Sequence, residues 1–196
     1  MANNHVTRGA GLLEGFLSRQ RAKKANMLIS DEKRTGKLLD IGCGSFPYFL
    51  TNTEFNEKFG IDPSLKDIDV KGIKLAKSDV SFTPLAFKNN FFDVVTMLAV
   101  FEHIEKDSLS AVLHEISRIL KKDGVLIITT PSPWSDKLLH LMSKFGLISE
   151  VEIHEHKSHY TKSRIVEIIN KAGFEKDFIK SGYFELGMNM WFSITK

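Results

Sequence analysis

Five short apolar runs, separated by turn residues and by stretches of helical periodicity, constrain this chain more than any other feature of its sequence. They are Leu38-Leu39-Asp40-Ile41, Lys58 to Ile61, Gly72 to Lys77, Phe92 to Val100, and the β-branched run Val125-Leu126-Ile127-Ile128-Thr129-Thr130. They read as strands buried on both faces. Strands of this kind belong to a parallel sheet covered by helices.

The intervening periodicity supplies the helices. Leu109, Val112, Leu113, Ile116, Ile119 and Leu120 form one stripe between the fourth and fifth runs. Asp107 or Ser108 is placed to cap it, and Lys121-Lys122 to meet its negative end. Asp123-Gly124 is expected to turn the chain into the fifth strand. Another helix is expected from Thr161 through Ile165, Ile168 and Ile169 to Ala172, stopped by Gly173. An earlier one spans Leu12 to Leu28, and the aromatic tail after Tyr183 reads as closing strands. This order describes an open, doubly wound α/β sheet in one domain, residues 1–196. A basic helical segment (1–36), a core (37–130) and a covering region with closing elements (131–196) divide it.

Bulk properties narrow the function classes. No segment approaches the roughly 18 to 20 apolar residues of a membrane span, and the N-terminus lacks a secretory apolar run, so a cytoplasmic location is expected. A single cysteine, Cys43, suits a reducing compartment. Net charge is only +3, but residues 1–36 hold seven Lys or Arg against three acids. That segment reads as a solvated basic helix, with peripheral contact to an anionic membrane as the sharper alternative. The sequence carries no strong nucleic-acid signal.

The turn after the first strand is Asp40-Ile41-Gly42-Cys43-Gly44-Ser45-Phe46-Pro47. Gly42 and Gly44 permit a sharp turn and close approach of a ligand to the main chain. Asp62 ends the second strand, where a carboxylate can accept both hydroxyls of a ribose. An adenosine-containing ligand fits this pair of features. A dinucleotide site wants a third glycine where Pro47 stands, and no Gly-Lys-Ser or Gly-Lys-Thr follows to bind a triphosphate.

These residues resemble the class I S-adenosylmethionine-dependent methyltransferases, especially their small-molecule branch. The likeness rests on Leu39-Asp40-Ile41-Gly42-Cys43-Gly44, Gly60-Ile61-Asp62-Pro63, Ser78-Asp79-Val80, Phe92-Asp93-Val94-Val95 with Val100-Phe101-Glu102-His103, and Leu120 to Leu126, in that order. It implies a Rossmann-like, mostly parallel seven-stranded sheet with an antiparallel last strand and helices on both faces. It further implies that Asp40, Gly42, Cys43 and Gly44 hold the methionine end of the cofactor and Asp62 its ribose. Pro63 then lies against the adenine, Asp79 and Val80 at its edge, and Leu98 in the same crevice. S-adenosylhomocysteine is the implied product. One departure is visible: only about ten residues separate Pro63 from the third strand, so the intervening helix is reduced to a turn or two.

Methyl transfer requires alignment of a nucleophile with the donor and exclusion of water. A general base is useful, and His103 in the loop after the fourth strand is the candidate; the plainer role is a loop histidine bonded to backbone. His154, His159 and Tyr160, with Trp134, are candidates to line an acceptor pocket. The histidine cluster at 154–159 lacks an evident fourth ligand, so no metal is assigned. The apolar stretch Pro131 to Val151 favours a small, hydrophobic or aromatic acceptor, with plain packing on the sheet as the alternative. A non-catalytic cofactor-binding subunit, or an acceptor that is protein or nucleic acid, are the competing functions. Oligomeric state is not encoded in any pattern here.

Overall fold

The computed structural model describes residues 14–66, 68–81, 84–135 and 160–196. The five runs become five parallel strands: β1 (Lys37–Ile41), β2 (Glu57–Ile61), β3 (Ile73–Ala76), β4 (Phe92–Leu98) and β5 (Leu120–Pro131). Two closing strands, β6 (Ile179–Phe184) and β7 (Asn189–Thr195), complete a sheet ordered β3-β2-β1-β4-β5-β7-β6. Only β7 runs antiparallel, between β5 and β6. The order reverses between β1 and β4, so the loops leaving those two strands diverge around a crevice at their carboxyl ends.

Helices cover both faces. On one lies α1 (Glu14–Leu28), whose Ala22 and Ala25 pack with Ile29 on Leu38, Val94 and Ile127. Small side chains there let the helix approach the sheet closely. On the other face α4 (Lys106–Ile119) and α5 (Lys162–Lys171) bury Leu113, Ile116, Ile165 and Ile169 against Leu39, Val95, Leu126 and Phe192. Fully burying one such side chain stabilises the fold by roughly 1.5–3 kcal/mol. Two single-turn helices, α2 (Asp31–Arg34) and α3 (Tyr48–Thr51), flank β1.

Several local expectations need correction. Helix α4 begins one residue before Asp107, with Glu105 at the cap and no side-chain cap bond; the Ser108 and Leu109 amides instead donate to the Glu105 carbonyl at 3.0 and 3.1 Å. Lys121 does not serve the helix end, because its ammonium pairs with Asp93 at 2.8 Å. Asp123 does adopt the left-handed conformation of a turn residue (φ 62°), yet Leu120 already pairs with Phe92. The turn is thus absorbed as an irregularity within β5. Thr161 caps α5 as expected, its hydroxyl accepting the Arg164 amide, and Gly173 (φ 92°) follows its end. The β2–β3 connection is as short as the sequence implies, with a turn at Pro63-Ser64 and a bridge from Val70 to Ile73.

The two ends of the sheet differ chemically. At the amino end of β4, Phe92 meets Phe87, Phe91 and Phe59 edge-on at 4.9, 5.0 and 5.3 Å. At the carboxyl end the buried residues include Asp40, Asp62, Glu102, Thr129 and Thr130. Aromatic rings seal one edge; the polar groups gather at the other.

Candidate functional site

The site is built on the turns that leave β1, β2 and β4. Gly42 and Gly44 both have positive φ (74° and 78°), as the sharp turn after β1 demands. The amides of Gly42 and Cys43 donate to the Ile61 carbonyl at 2.8 and 3.3 Å, which binds this turn to the end of β2. A side chain at position 42 would strike Val100, so glycine there lets the loop after β4 close directly onto the loop after β1. The expected close approach at Gly42 is therefore made by protein, across the switch point.

Asp62 is only 2% exposed. Its carboxylate accepts the Gly44 amide at 2.9 Å and the Ser64 amide at 2.7 Å, which orients it from both sides. Asp40 pairs across β1 and β4 with Thr96, whose hydroxyl donates to it at 2.6 Å. Burial pushes the Asp40 carboxyl up to about 7; the Thr96 bond opposes the rise and the nearby charge of Asp62 adds to it. Asp40 has no cationic partner among the described residues. Burial first, then the charges of Asp40 and Asp62, push the Cys43 thiol well above the ordinary thiol range. Such a thiol is a poor nucleophile, so Cys43 is a small buried residue of the turn.

The other sequence candidates distribute along the same edge. Pro63 is exposed in the turn after β2, Val80 is buried, and Asp79 accepts the Ser81 amide at 2.8 Å. Leu98 ends β4, half-buried against the α1 face. His103 closes the single 3-10 turn Phe101–His103 after β4, its amide donating to the Val100 carbonyl at 3.0 Å. Tyr160 is buried with its ring edge-on to Phe101 at 5.7 Å. Trp134 is half-exposed and fastens the β6–β7 hairpin, its indole N–H donating to the Gly187 carbonyl at 2.9 Å. His154 and His159 lie outside the described residues, and no metal-ligating cluster occurs among the described ones.

Three participants escaped the sequence reading: Thr96, Thr129 and Glu185. Thr96 looks like an ordinary strand threonine until the β1–β4 register sets it opposite Asp40. Among the described residues, Thr129 Oγ1 and Glu185 Oε1 are buried without hydrogen-bond partners, as are Glu102 Oε2 and the Tyr160 hydroxyl. Alternation could have flagged Thr129 as inward-facing; nothing local distinguishes Glu185.

Residues 13–177 match the family model described as a methyltransferase domain. An uncharacterised protein of Methanocaldococcus jannaschii is 29% identical over 175 residues, 88% of this chain and 71% of that protein. A chain in the complex of the Haloferax volcanii Trm112 methyltransferase activator superposes with a TM-score of 0.70 at 16% identity, covering 93% of this chain and 92% of that one. A Thermotoga maritima S-adenosylmethionine-dependent methyltransferase, described as a possible histamine N-methyltransferase, gives 0.68 at 20% identity, covering 94% and 91%.

Proposed function

The chain belongs to the methyltransferase-domain family and uses S-adenosylmethionine, and from that premise we propose that it methylates a small acceptor with a hydrophobic or aromatic body. The observation that carries the cofactor half is Asp40, a buried carboxyl with no cation beside it among the described residues, one strand from the buried carboxylate of Asp62. Burying a carboxylate is costly unless a positive group or several donors compensate it. A ligand with an ammonium, a sulfonium and two ribose hydroxyls supplies those groups.

In this reading Asp62 accepts the ribose hydroxyls, and Asp40 with the Gly42-Cys43-Gly44 turn faces the methionine end. Pro63 lies against the adenine, Asp79 and Val80 at its edge, and Leu98 beside it. When bound, the donor supplies a methyl group already activated by its positive sulfur. The chain's contribution is alignment and exclusion of water, with Val100 and the 3-10 turn covering the crevice. Trp134 and Tyr160 line the acceptor side.

His103 is the proton acceptor for the incoming nucleophile. His103→Ala is expected to lower single-turnover methyl transfer by about 10²- to 10⁴-fold. S-adenosylhomocysteine affinity, measured by calorimetry, should stay within about twofold. Unchanged turnover would return His103 to a structural role.

The Haloferax neighbour, seen with an activator, favours a second reading in which activity depends on a protein partner. Purified chain that binds S-adenosylhomocysteine but turns over no acceptor until an activator is added supports it. Turnover by the chain alone excludes it.

A further inference from the structure

The connection from β3 to β4 has no regular structure in its described residues, 77–81 and 84–91. A crossover between parallel strands usually packs a helix on the sheet, and that helix fixes the chain around it. Here the connection begins with Asp79 and Val80, assigned above to the adenine edge. Whatever holds it in place also holds them.

Helix α4 supplies the hold. Glu115, 8% exposed, accepts the Leu85 amide at 2.5 Å. Arg118, one turn further on, donates to the Leu85 carbonyl at 3.1 Å and to the Asn89 side-chain oxygen at 2.5 Å. The two side chains grip each other as a fork, Arg118 Nε to Glu115 Oε2 at 2.8 Å and Nη2 to Oε1 at 2.6 Å. One ion pair thus takes both polar groups of the Leu85 backbone, as a neighbouring strand would in a sheet. A purely apolar contact would bury Leu85 but leave its backbone unpaired; a bidentate pair fixes direction as well as contact.

The stretch that carries Asp79 is therefore tethered twice. On its upstream side the Ser78 amide donates to the Asp62 carbonyl at 3.4 Å. Downstream lies Leu85, 5% exposed and in the same hydrophobic core as Val80. Without the ion pair, the next backbone anchors on α4 are the Asn90 and Phe91 amides, which donate to the Arg118 and Ile119 carbonyls at 3.0 and 2.7 Å. The unfixed stretch would then run on to residue 90, and more conformations would compete with the one that presents Asp79.

We propose that Glu115 and Arg118 are positioning residues for the cofactor: acting through Leu85, they set where Asp79 and Val80 meet the adenine. This rests on the methyltransferase reading above and extends its cofactor site to α4, a helix outside the turns that build the crevice.

The test compares, by calorimetry on the full chain, S-adenosylhomocysteine with S-inosylhomocysteine, in which oxygen replaces the exocyclic amine. Loss of one bond to a charged group should make wild type prefer the adenine ligand by about tenfold or more. Arg118→Lys keeps the charge but gives up the fork, and Glu115→Gln keeps an acceptor for the Leu85 amide but gives up the ion pair. Each variant is expected to unfold in one cooperative transition, to bind S-adenosylhomocysteine about tenfold more weakly, and to lose most of the preference for adenine. Either variant alone decides. Combining Glu115→Gln with Asp79→Ala should weaken binding by no more than about twofold beyond the weaker single variant, because the two residues act on one contact. A merely structural role would weaken both ligands equally and leave the preference intact. The proposal is overturned if a folded variant keeps the wild-type preference, or if the Glu115 and Asp79 effects add independently. Wild type that binds S-adenosylhomocysteine without preferring adenine removes Asp79 from the adenine edge and the proposal with it; wild type that binds neither ligand sinks the underlying reading.

Discussion

Asp62→Ala is expected to abolish the thermal stabilisation that S-adenosylhomocysteine confers on the wild-type chain. A hydrogen bond to a charged group contributes roughly 1.5–3 kcal/mol. Loss of two from the ribose therefore weakens binding by about 10²- to 10⁴-fold at 1.4 kcal/mol per decade. Part of the effect arises in the protein, because the amides of Gly44 and Ser64 lose the acceptor that holds the two turns together. Asp62→Asn separates these contributions. The amide keeps a carbonyl for one backbone donor but carries no charge, so its ligand-free melting temperature should lie nearer wild type while its affinity stays low. A nicotinamide dinucleotide should shift neither protein; a shift with that ligand would reassign the crevice.

The second large effect concerns Asp40 and pH. Its folded-state pKa, about 7, stands above the value of an unfolded aspartate. The folded state therefore holds this proton more tightly, and the resulting stability is complete below the unfolded value. It is lost as pH rises through about 7. The rise corresponds to an upper bound of about 4 kcal/mol. Asp40→Asn removes the charge while leaving a carbonyl for the Thr96 hydroxyl. At pH 8 the ligand-free variant should thus be more stable than wild type in urea, by up to that amount, with the difference shrinking as pH falls and vanishing only below the unfolded value of 3.8. Cofactor binding should respond oppositely, because the ammonium of the ligand prefers ionised Asp40. Wild-type affinity for S-adenosylhomocysteine should rise as pH climbs from 5.5 toward 7, by up to tenfold per unit, and then level. Asp40→Asn should bind weakly with a flat profile over that range. A flat wild-type profile would mean that Asp40 does not face the charged tail.

The distribution of what could be foreseen from the sequence follows the range of the interactions. Strand runs and the α4 stripe are set by neighbouring residues, so Val125 to Thr130 and Leu109 to Ile119 announce themselves without tertiary information. The Gly42-Cys43-Gly44 turn and Asp62 are legible for the same reason, since each ends a strand. The Asp62 carboxylate bound to the Gly44 amide, 18 residues away, was not foreseeable. Nor was the Asp40–Thr96 pair, 56 residues apart, which exists only once β1 and β4 lie side by side. Asp123-Gly124 shows a different limit. Its turn conformation was correctly indicated, but whether a turn ends a strand or bends within one depends on what lies opposite. Here Leu120 finds Phe92 before the turn is reached. Glu102 was visible in the motif after β4, yet its burial is a property of the packed loop.

A crystal structure with S-adenosylhomocysteine bound tests the account most directly. The ribose hydroxyls should lie within hydrogen-bonding distance of the Asp62 carboxylate, with the amino-acid tail over the turn after β1 and its ammonium toward Asp40. A ligand seated elsewhere on the sheet, or one whose ribose faces away from Asp62 while the tail avoids Asp40, would contradict it.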